Sequence, residues 1–310
     1  MQTITTHIDA GTQDMSRPAE RPPKSNWRIE MVKKALSALQ HVSPSRTSEI
    51  VWHYFTQPGK VRFKDSQMEL LNKAERIDTN YRGFKIAGYR WGTAGPKILL
   101  THGWRSKIAD FRRMIEFLVE AGYVVEGLDM KAHGLSEGKH TALPEMRDII
   151  KDHYVKHGPY EAVIGYSIGG LAAGMVTSEL SANVQPKHLI IISGPPFVSY
   201  FFKDIIDDLG YNNAVFEEMC KLVNKNYHQP VEYFDLRNKK QALEGVNLTL
   251  IYDEQDTTVP FTRGEELKSH FPDASFIKST GLGHYKIIAY DNVFKAILTQ
   301  LRTVVTIDQA

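Results

Sequence analysis

From about residue 75 onward, short apolar segments alternate with longer amphipathic ones. Segments such as PKILLT, YEAVIGY and KHLIIISG are apolar throughout, which is typical of strands buried on both faces. Helical patterns such as SKIADFRRMIEFLVEAG and IGGLAAGMVTSEL lie between them. This alternation predicts an α/β fold with a mainly parallel central sheet and helices on both faces.

The rest of the chain suggests additional segments around this sheet. Residues 1–25 are polar and carry three prolines, so we expect a disordered tail. Residues 26–60 predict an N-terminal helical extension, and residues 65–310 the α/β domain. The aromatic, helix-like stretch at about 196–243 interrupts the alternation, and we interpret it as a small helical cap at the carboxyl end of the sheet. The basic N-terminal helices also suit a membrane surface, although packing on the domain is the simpler interpretation.

Composition excludes several classes of function. A formal charge of +2 over 310 residues gives no reason to expect a nucleic-acid partner. Cys220 is the only cysteine, so neither an internal disulfide nor a CxxC metal site is possible, and we expect a cytoplasmic protein. No apolar run predicts a membrane span, and no motif calls for a cofactor or a metal.

Two segments, HGLSEG and GYSIGG, contain the G-x-S-x-G pattern of a nucleophilic serine on a sharp turn. The pattern needs a strand before the serine and a helix after it, because the turn lifts the hydroxyl above the sheet edge. Ser167 has the strand YEAVI before it and a small-residue helix after it, whereas Ser136 is surrounded by loop sequence. We therefore predict Ser167 as the nucleophile and Ser136 as a turn residue.

A serine hydroxyl needs a general base, and the base needs an orienting acid. In a strand–turn–helix architecture of this kind, the acid and then the histidine follow the serine along the chain. His284 lies in a glycine-flanked loop directly after the strand ASFIKST, and we predict it as the base. Asp253 and Asp256 both follow the strand NLTLIY, and we favour Asp256 because it lies further into the loop.

The site also needs backbone donors for the oxyanion. We expect them to be the amides of Ile168, after the nucleophile, and of Trp104, in the loop HGWRS. His102 precedes Ser167, so we interpret it as structural. Arg105 or Lys107 could contact an anionic substrate group, although solvated charges are the more common case.

Taken together, the segments LLTHGW, LDMKAHGLSEG, GYSIGG, IYDEQDTTVP and GLGHYKI resemble the α/β-hydrolase superfamily over residues 84 to about 302. The resemblance implies the α/β-hydrolase fold, with Ser167 as nucleophile, Asp256 as acid and His284 as base. It also implies that the HGLSEG segment is a structural loop. Candidate substrate contacts are Tyr166 beside the elbow and three aromatic residues of the cap segment PPFVSYFF, namely Phe197, Tyr200 and Phe201.

The leading hypothesis is a cofactor-free serine hydrolase that cleaves a carboxylic ester, thioester or amide with a small to medium hydrophobic acyl group. The partner is then a small-molecule acyl substrate. The alternatives are a non-catalytic ligand-binding protein on the same scaffold, and a lipid-directed lipase or acyltransferase. The sequence indicates neither the acyl chain length nor the oligomeric state.

Overall fold

The computed structural model describes residues 5–9 and 27–303. In chain order the strands are β1 (Thr5–Asp9), β2 (Glu75–Arg76), β3 (Thr79–Tyr81), β4 (Phe84–Ile86), β5 (Gly88–Trp91), β6 (Lys97–Thr101), β7 (Val124–Leu128), β8 (Ala162–Tyr166), β9 (His188–Ile192), β10 (Asn247–Asp253) and β11 (Ser275–Thr280). The α-helices are α1 (Trp27–Val42), α2 (Pro44–Phe55), α3 (Asp65–Asn72), α4 (Arg112–Glu120), α5 (Leu143–His157), α6 (Ile168–Glu179), α7 (Ser199–Asp208), α8 (Asn213–Tyr227), α9 (Phe261–His270), α10 (Gly283–Lys286) and α11 (Asp291–Leu301).

Nine of the described strands form one sheet in the order β1-β11-β10-β9-β8-β6-β7-β5-β2. The pairs from β1 to β7 are parallel, and the pairs β7–β5 and β5–β2 at one edge are antiparallel, so β5 alone runs against the other strands. Strands β6 to β9 are almost completely buried, which explains why β6, β8 and β9 are largely apolar without alternation. The predicted mainly parallel sheet is therefore confirmed.

The strand order reverses next to β6. Strand β7 lies on one side of β6, and the following strand, β8, lies on the other. Ligands of open α/β sheets bind outside the carboxyl ends of the strands at such a switch point. The loops after β6, β7 and β8 therefore meet at one place, and each of them carries a segment singled out by the sequence.

The prediction of a disordered tail is wrong for residues 5–9. Residues Thr5–Asp9 form β1, which pairs in parallel with β11 along its full length, from Thr5 opposite Phe276 to Asp9 opposite Thr280. The edge of β11 offers unpaired backbone groups, and the β-branched residues of TTHID suit an extended segment. The other residues of the predicted tail lie outside the described part of the chain.

The chain divides into two compact units. The first contains the described residues of Met1–Asp9, Pro58–Pro196 and Leu236–Ala310, and it includes the whole sheet. The second contains those of Ala10–Gln57 and Phe197–Asp235. The predicted helical extension and the predicted cap therefore belong to one unit, with an insertion that is narrower than residues 196–243.

The second unit is a four-helix assembly of α1, α2, α7 and α8. Helix α2 begins with Pro44 in its first turn, and the Ser43 hydroxyl accepts from the Arg46 amide at 3.4 Å. Trp52 of α2 packs edge-on against Phe202 of α7, with ring centroids 5.9 Å apart. Aromatic packing of this kind explains why the two sequence segments form one unit.

Candidate active site

The turn between β8 and α6 holds Ser167 in a strained backbone conformation, with φ 55° and ψ −132°. Positive φ is costly for a residue with a side chain and is characteristic of functional turns. The glycines of GYSIGG make the turn possible. A Cβ on Gly165 would lie 2.5 Å from the Gly170 Cα, and one on Gly169 would lie 2.3 Å from the His102 carbonyl oxygen.

The loops after β10 and β11 bring an acid and a histidine to this serine. The His284 Nε2 lies 3.2 Å from the Ser167 Oγ, and its Nδ1 lies 2.7 Å from the Asp256 Oδ2. All three residues are buried. The carboxylate orients the imidazole so that Nδ1 carries the proton, and Nε2 is then free to accept the serine proton. A hydrogen-bonded arrangement of this kind is able to activate a serine hydroxyl.

The Asp256 carboxylate is itself held in place. Its Oδ1 accepts hydrogen bonds from the amides of Thr258 and Val259, both at 2.8 Å. Asp253, the other candidate acid, does not contact His284. It accepts from the Gln255 amide at 2.9 Å and, through its Oδ2, from groups on the strand and loop that precede the histidine. Asp253 therefore joins the two loops, and Asp256 is the carboxylate that contacts His284.

The second G-x-S-x-G serine has only structural contacts. Ser136 is buried, accepts from the Ala87 amide at 2.8 Å and donates to the Asp129 carbonyl. These bonds tie the loop after β7 to the chain before β5. The turn role predicted for Ser136 agrees with these contacts.

The loop after β6, residues 102–105, is called the oxyanion loop here. It passes directly beside the nucleophile, because a Cβ on Gly103 would lie 2.8 Å from the Ser167 Cβ. Ile168 is the first residue of α6 and is buried, so its amide belongs to the helix N-terminus next to the serine. Trp104 follows Gly103 in the loop, and the donor roles of Trp104 and Ile168 remain predictions.

His102 fixes the start of the oxyanion loop. Its Nε2 accepts from the Met130 amide at 2.9 Å, so Nδ1 carries the proton and donates to the Gly103 carbonyl at 2.8 Å. Complete burial lowers the pKa of His102 to about 4, so the ring is neutral at pH 7. These contacts agree with the structural role predicted for it.

Tyr166 has a contact that the sequence did not indicate. Its hydroxyl donates to the His284 carbonyl at 3.0 Å, and the two rings lie 4.9 Å apart. Tyr166 is buried and supports the histidine from beside the elbow. No local pattern predicts this bond, because it joins residues 118 positions apart. A role of Tyr166 in substrate binding remains a prediction.

The two residues predicted to contact an anionic substrate group differ in their exposure. Arg105 is exposed, and we retain it as a candidate. Lys107 is only 2% exposed and forms an ion pair with Asp110 at 2.9 Å, so the prediction for Lys107 is wrong. The lysine is used to hold the turn that leads into α4, and its charge is neutralised there.

The predicted aromatic substrate contacts lie in the second unit. Phe197 forms a β-bridge with Asp235, and its ring lies 5.9 Å from that of Tyr200. Phe201 is on α7, and all three aromatic side chains are partly exposed. Their contact with a substrate remains a prediction.

Two negative findings apply to the described part of the chain. Residues 5–9 and 27–303 contain no group of three His, Cys, Asp or Glu side chains arranged to hold a metal ion. None of the helices described has both the length and the apolar character that crossing a bilayer demands.

Comparison with known proteins agrees with this geometry. The family model for the serine hydrolases named FSH1 matches residues 125–285, more than half of the chain. No curated protein matches the chain in sequence. Among solved structures, an esterase of Pyrococcus furiosus is 21% identical with a TM-score of 0.58, and the match covers 79% of this chain and 96% of that one.

Two further structures have the same fold. The thioesterase domain of the curacin biosynthetic pathway is 16% identical with a TM-score of 0.55, covering 73% of this chain and 99% of that one. A putative lipase of Acinetobacter baumannii is 14% identical with a TM-score of 0.57, covering 78% and 98% respectively. Identities this low establish the fold alone, and the predicted α/β-hydrolase fold is confirmed.

Proposed function

Since the chain belongs to the FSH1 serine hydrolase family, we propose that it cleaves a carboxylic ester, thioester or amide through an acyl-enzyme on Ser167. The observation that carries the proposal is the continuous hydrogen-bonded chain from the Ser167 Oγ through His284 to Asp256. Each distance lies within hydrogen-bond reach, and the serine is on a strained turn next to a helix N-terminus.

In the first half of the reaction, the Ser167 Oγ attacks the acyl carbonyl carbon while its proton moves to the His284 Nε2. The carbonyl π electrons move to the oxygen, which the amides of Trp104 and Ile168 stabilise. The tetrahedral intermediate then collapses, the bond to the leaving group breaks, and His284 gives its proton to that group. Asp256 stabilises the imidazolium throughout and stays ionised.

In the second half, a water molecule gives a proton to His284 and attacks the acyl-enzyme. The second tetrahedral intermediate collapses with the Ser167 Oγ as the leaving group, and His284 returns its proton to that oxygen. The products are the carboxylic acid and the free enzyme. If an alcohol or thiol takes the place of water, the same residues perform acyl transfer.

We propose a small to medium hydrophobic acyl group as the substrate class. The support is the aromatic segment around Phe197, Tyr200 and Phe201, which follows β9 in the chain and is proposed to act as the cap. The titles of the similar structures, an esterase, a thioesterase domain and a putative lipase, suit the same chemistry. A cytoplasmic location is our proposal from the single cysteine.

The test compares wild type with Ser167→Ala, using a fluorophosphonate probe and p-nitrophenyl esters of increasing acyl length. Ser178→Ala is the matched control, because Ser178 lies on the same helix and its hydroxyl only donates to the Met175 carbonyl. We expect labelling and turnover in wild type and in the control, and neither in Ser167→Ala. The label should be recovered on the peptide that contains Ser167.

The outcomes separate the candidate functions. Absence of labelling and turnover in the folded wild type would contradict catalysis and favour a ligand-binding role on the same scaffold. Turnover only of long-chain esters presented in vesicles would favour a lipid-directed enzyme. Labelling that persists in Ser167→Ala would place the nucleophile elsewhere.

A further inference from the structure

We propose that the loop of the HGLSEG motif holds the oxyanion loop in its active conformation, with His133 as the positioning residue. The inference rests on the proposed function, because it concerns the orientation of the Trp104 amide. His133 follows β7, whereas the oxyanion loop follows β6, and these two strands are neighbours in the sheet. The contact thus joins two loops at the carboxyl edge of the sheet.

The hydrogen bonds of His133 define its tautomer. Its Nε2 lies 3.2 Å from the Arg105 amide nitrogen, and its Nδ1 lies 3.1 Å from the Lys131 carbonyl oxygen. An amide N–H can only donate, so Nε2 is unprotonated and accepts. Nδ1 therefore carries the proton and donates to Lys131. The ring also lies edge-on to the Trp104 indole, with centroids 5.3 Å apart.

These bonds act on the peptide units on either side of Trp104. The Gly103–Trp104 peptide carries the proposed oxyanion donor, and its carbonyl accepts from the His102 Nδ1 at 2.8 Å. The Trp104–Arg105 peptide is held at its N–H by His133. Two peptide planes share each Cα, so fixing both planes fixes φ and ψ of Trp104. The direction of the Trp104 N–H is then set by the two histidines, together with the Ser106 amide, which donates to the same Gly103 carbonyl at 3.3 Å.

The oxyanion loop contains a strained residue, Arg105, whose conformation depends on this restraint. Arg105 has φ 54°, a left-handed conformation that costs energy for a residue with a side chain. Without a partner for the Arg105 amide, the turn could relax to an unstrained conformation. Rotation of either flanking peptide would move the Trp104 N–H away from the oxygen of the substrate.

The loop that carries His133 is itself firmly anchored. The Lys60 ammonium donates to the carbonyls of Gly134 and Ser136, at 3.0 and 2.6 Å. Asp129 accepts from the Leu135 amide at 2.8 Å. His133 is 1% exposed, and burial is the main cause that lowers its pKa to about 3. At neutral pH its Nε2 is therefore an acceptor.

Two substitutions separate the two bonds of His133. In His133→Gln, the side-chain oxygen reaches the position of Nε2 and keeps an acceptor for the Arg105 amide. In His133→Asn, the shorter amide reaches only the position of Nδ1, so the bond to Lys131 survives and the Arg105 amide loses its partner. Both replacements are neutral amides, so a difference between the two variants reports the loss of the acceptor for the Arg105 amide.

The first readout is ester turnover in wild type, both variants and Ser167→Ala. Removing one oxyanion donor lowers kcat by about 10²–10³-fold, and a misdirected donor forfeits part of that. We expect His133→Asn to lower kcat about 10- to 100-fold with KM changed less than about threefold. His133→Gln should recover kcat to within about fivefold of wild type. Partial unfolding would also lower the apparent kcat at unchanged KM, so kcat is calculated per folded enzyme, with the folded fraction measured by circular dichroism.

The second readout does not depend on activity. Amide hydrogen exchange at Arg105 should be faster in His133→Asn than in wild type, and restored in His133→Gln. In wild type, the imidazole ¹⁵N shifts of His133 should report the Nδ1–H tautomer. This last measurement keeps the inference testable if the asparagine variant does not fold.

The outcomes are distinguishable from failure of the proposed function. Equal kcat in wild type and His133→Asn, equal losses in both variants, or an Nε2–H tautomer would overturn the inference and leave the serine hydrolase standing. Wild-type turnover that does not depend on Ser167 would overturn the proposed function and this inference together. Retained wild-type exchange at Arg105 in both variants would show that His133 does not hold the loop.

Discussion

Asp256→Asn tests the proposed triad most directly, because the surroundings of Asp256 decide how the new amide must lie. One carboxylate oxygen accepts the Thr258 and Val259 amides, each at 2.8 Å, and the other faces the His284 Nδ1 at 2.7 Å. An amide has one oxygen, and only an oxygen can accept from the two backbone N–H groups. The NH₂ group must then face Nδ1, so Nδ1 has to accept. The proton of His284 moves to Nε2, where it blocks transfer from Ser167.

The size of the loss in kcat follows from the free energy needed to keep the proton on the His284 Nδ1 in Asp256→Asn. To keep the productive tautomer, the NH₂ group would have to face the backbone donors of Val259, which is buried, and of Thr258, which is exposed. At about 1–3 kcal/mol for each donor left unpaired, this costs about 2–6 kcal/mol. At about 1.36 kcal/mol per tenfold, a cost of this size reduces the productive state about 30- to 3 × 10⁴-fold. Losing the charge that stabilises the imidazolium adds to this, and an acid-to-amide change in a serine protease triad lowers kcat about 10⁴-fold. We expect a loss of 10³–10⁴-fold.

The assay is kcat for a p-nitrophenyl ester, with the thermal midpoint measured in parallel. Asp256→Asn keeps both backbone bonds, so its midpoint should stay within a few degrees of wild type. Asp253→Asn is the matched control. It removes one of the hydrogen bonds that residue 253 accepts, and none of these bonds involves His284. It should lower the midpoint while kcat of the folded fraction stays within tenfold. A loss of less than tenfold in Asp256→Asn would refute the tautomer argument.

Three further predictions use the same measurements. The pKa of His102 is lowered from its ordinary value of 6.5 to about 4. Between these pH values the unfolded chain binds a proton that the folded chain does not. The contribution of neutral His102 to the free energy of unfolding is therefore complete above pH 6.5 and falls by about 3 kcal/mol as the pH drops to 4. Urea unfolding should show this loss, and it should be smaller in His102→Asn. Gly169→Ala should prevent folding or cost more than about 3 kcal/mol, because the new Cβ would meet the His102 backbone at 2.3 Å; Gly174→Ala on the same helix should cost little, since only the Leu236 methyl groups must move. Burial raises the pKa of the Cys220 thiol to about 11, so iodoacetamide at pH 7.5 should modify it slowly and leave ester turnover unchanged; rapid inactivation would contradict this.

Several local predictions held because short-range sequence determines them. The apolar runs of β6, β8 and β9 can form only strands covered on both faces, whatever packs on them. The elbow around Ser167 needs small residues at fixed offsets, and GYSIGG contains them. Ser43 and Pro44 set the start of α2 through contacts within one turn.

Predictions that depend on long-range contacts were less accurate. The segment FKIAGYRW looks like one strand, yet Phe84–Ile86 pairs with β3 and Gly88–Trp91 joins the main sheet. Lys107 looks like an exposed charge, yet it is buried with its ammonium 5.1 Å from the centroid of the Phe63 ring, which belongs to a distant part of the chain. The segment TTHID is too short and polar to predict a strand, and it becomes one because the edge of β11 is there to pair with it.

The sequence by itself therefore determined the order of strands and helices, the parallel sheet, the elbow at Ser167 and the loops that carry the other polar groups. The sequence favoured Asp256 over Asp253, and only the tertiary structure shows the contact with His284 itself, because both carboxylates follow the same strand and differ only in the turn between them. The tertiary structure also decided that His133, in the motif without a nucleophile, lies against the oxyanion loop. Such contacts join residues far apart in the chain, and their geometry depends on which strands are neighbours in the sheet.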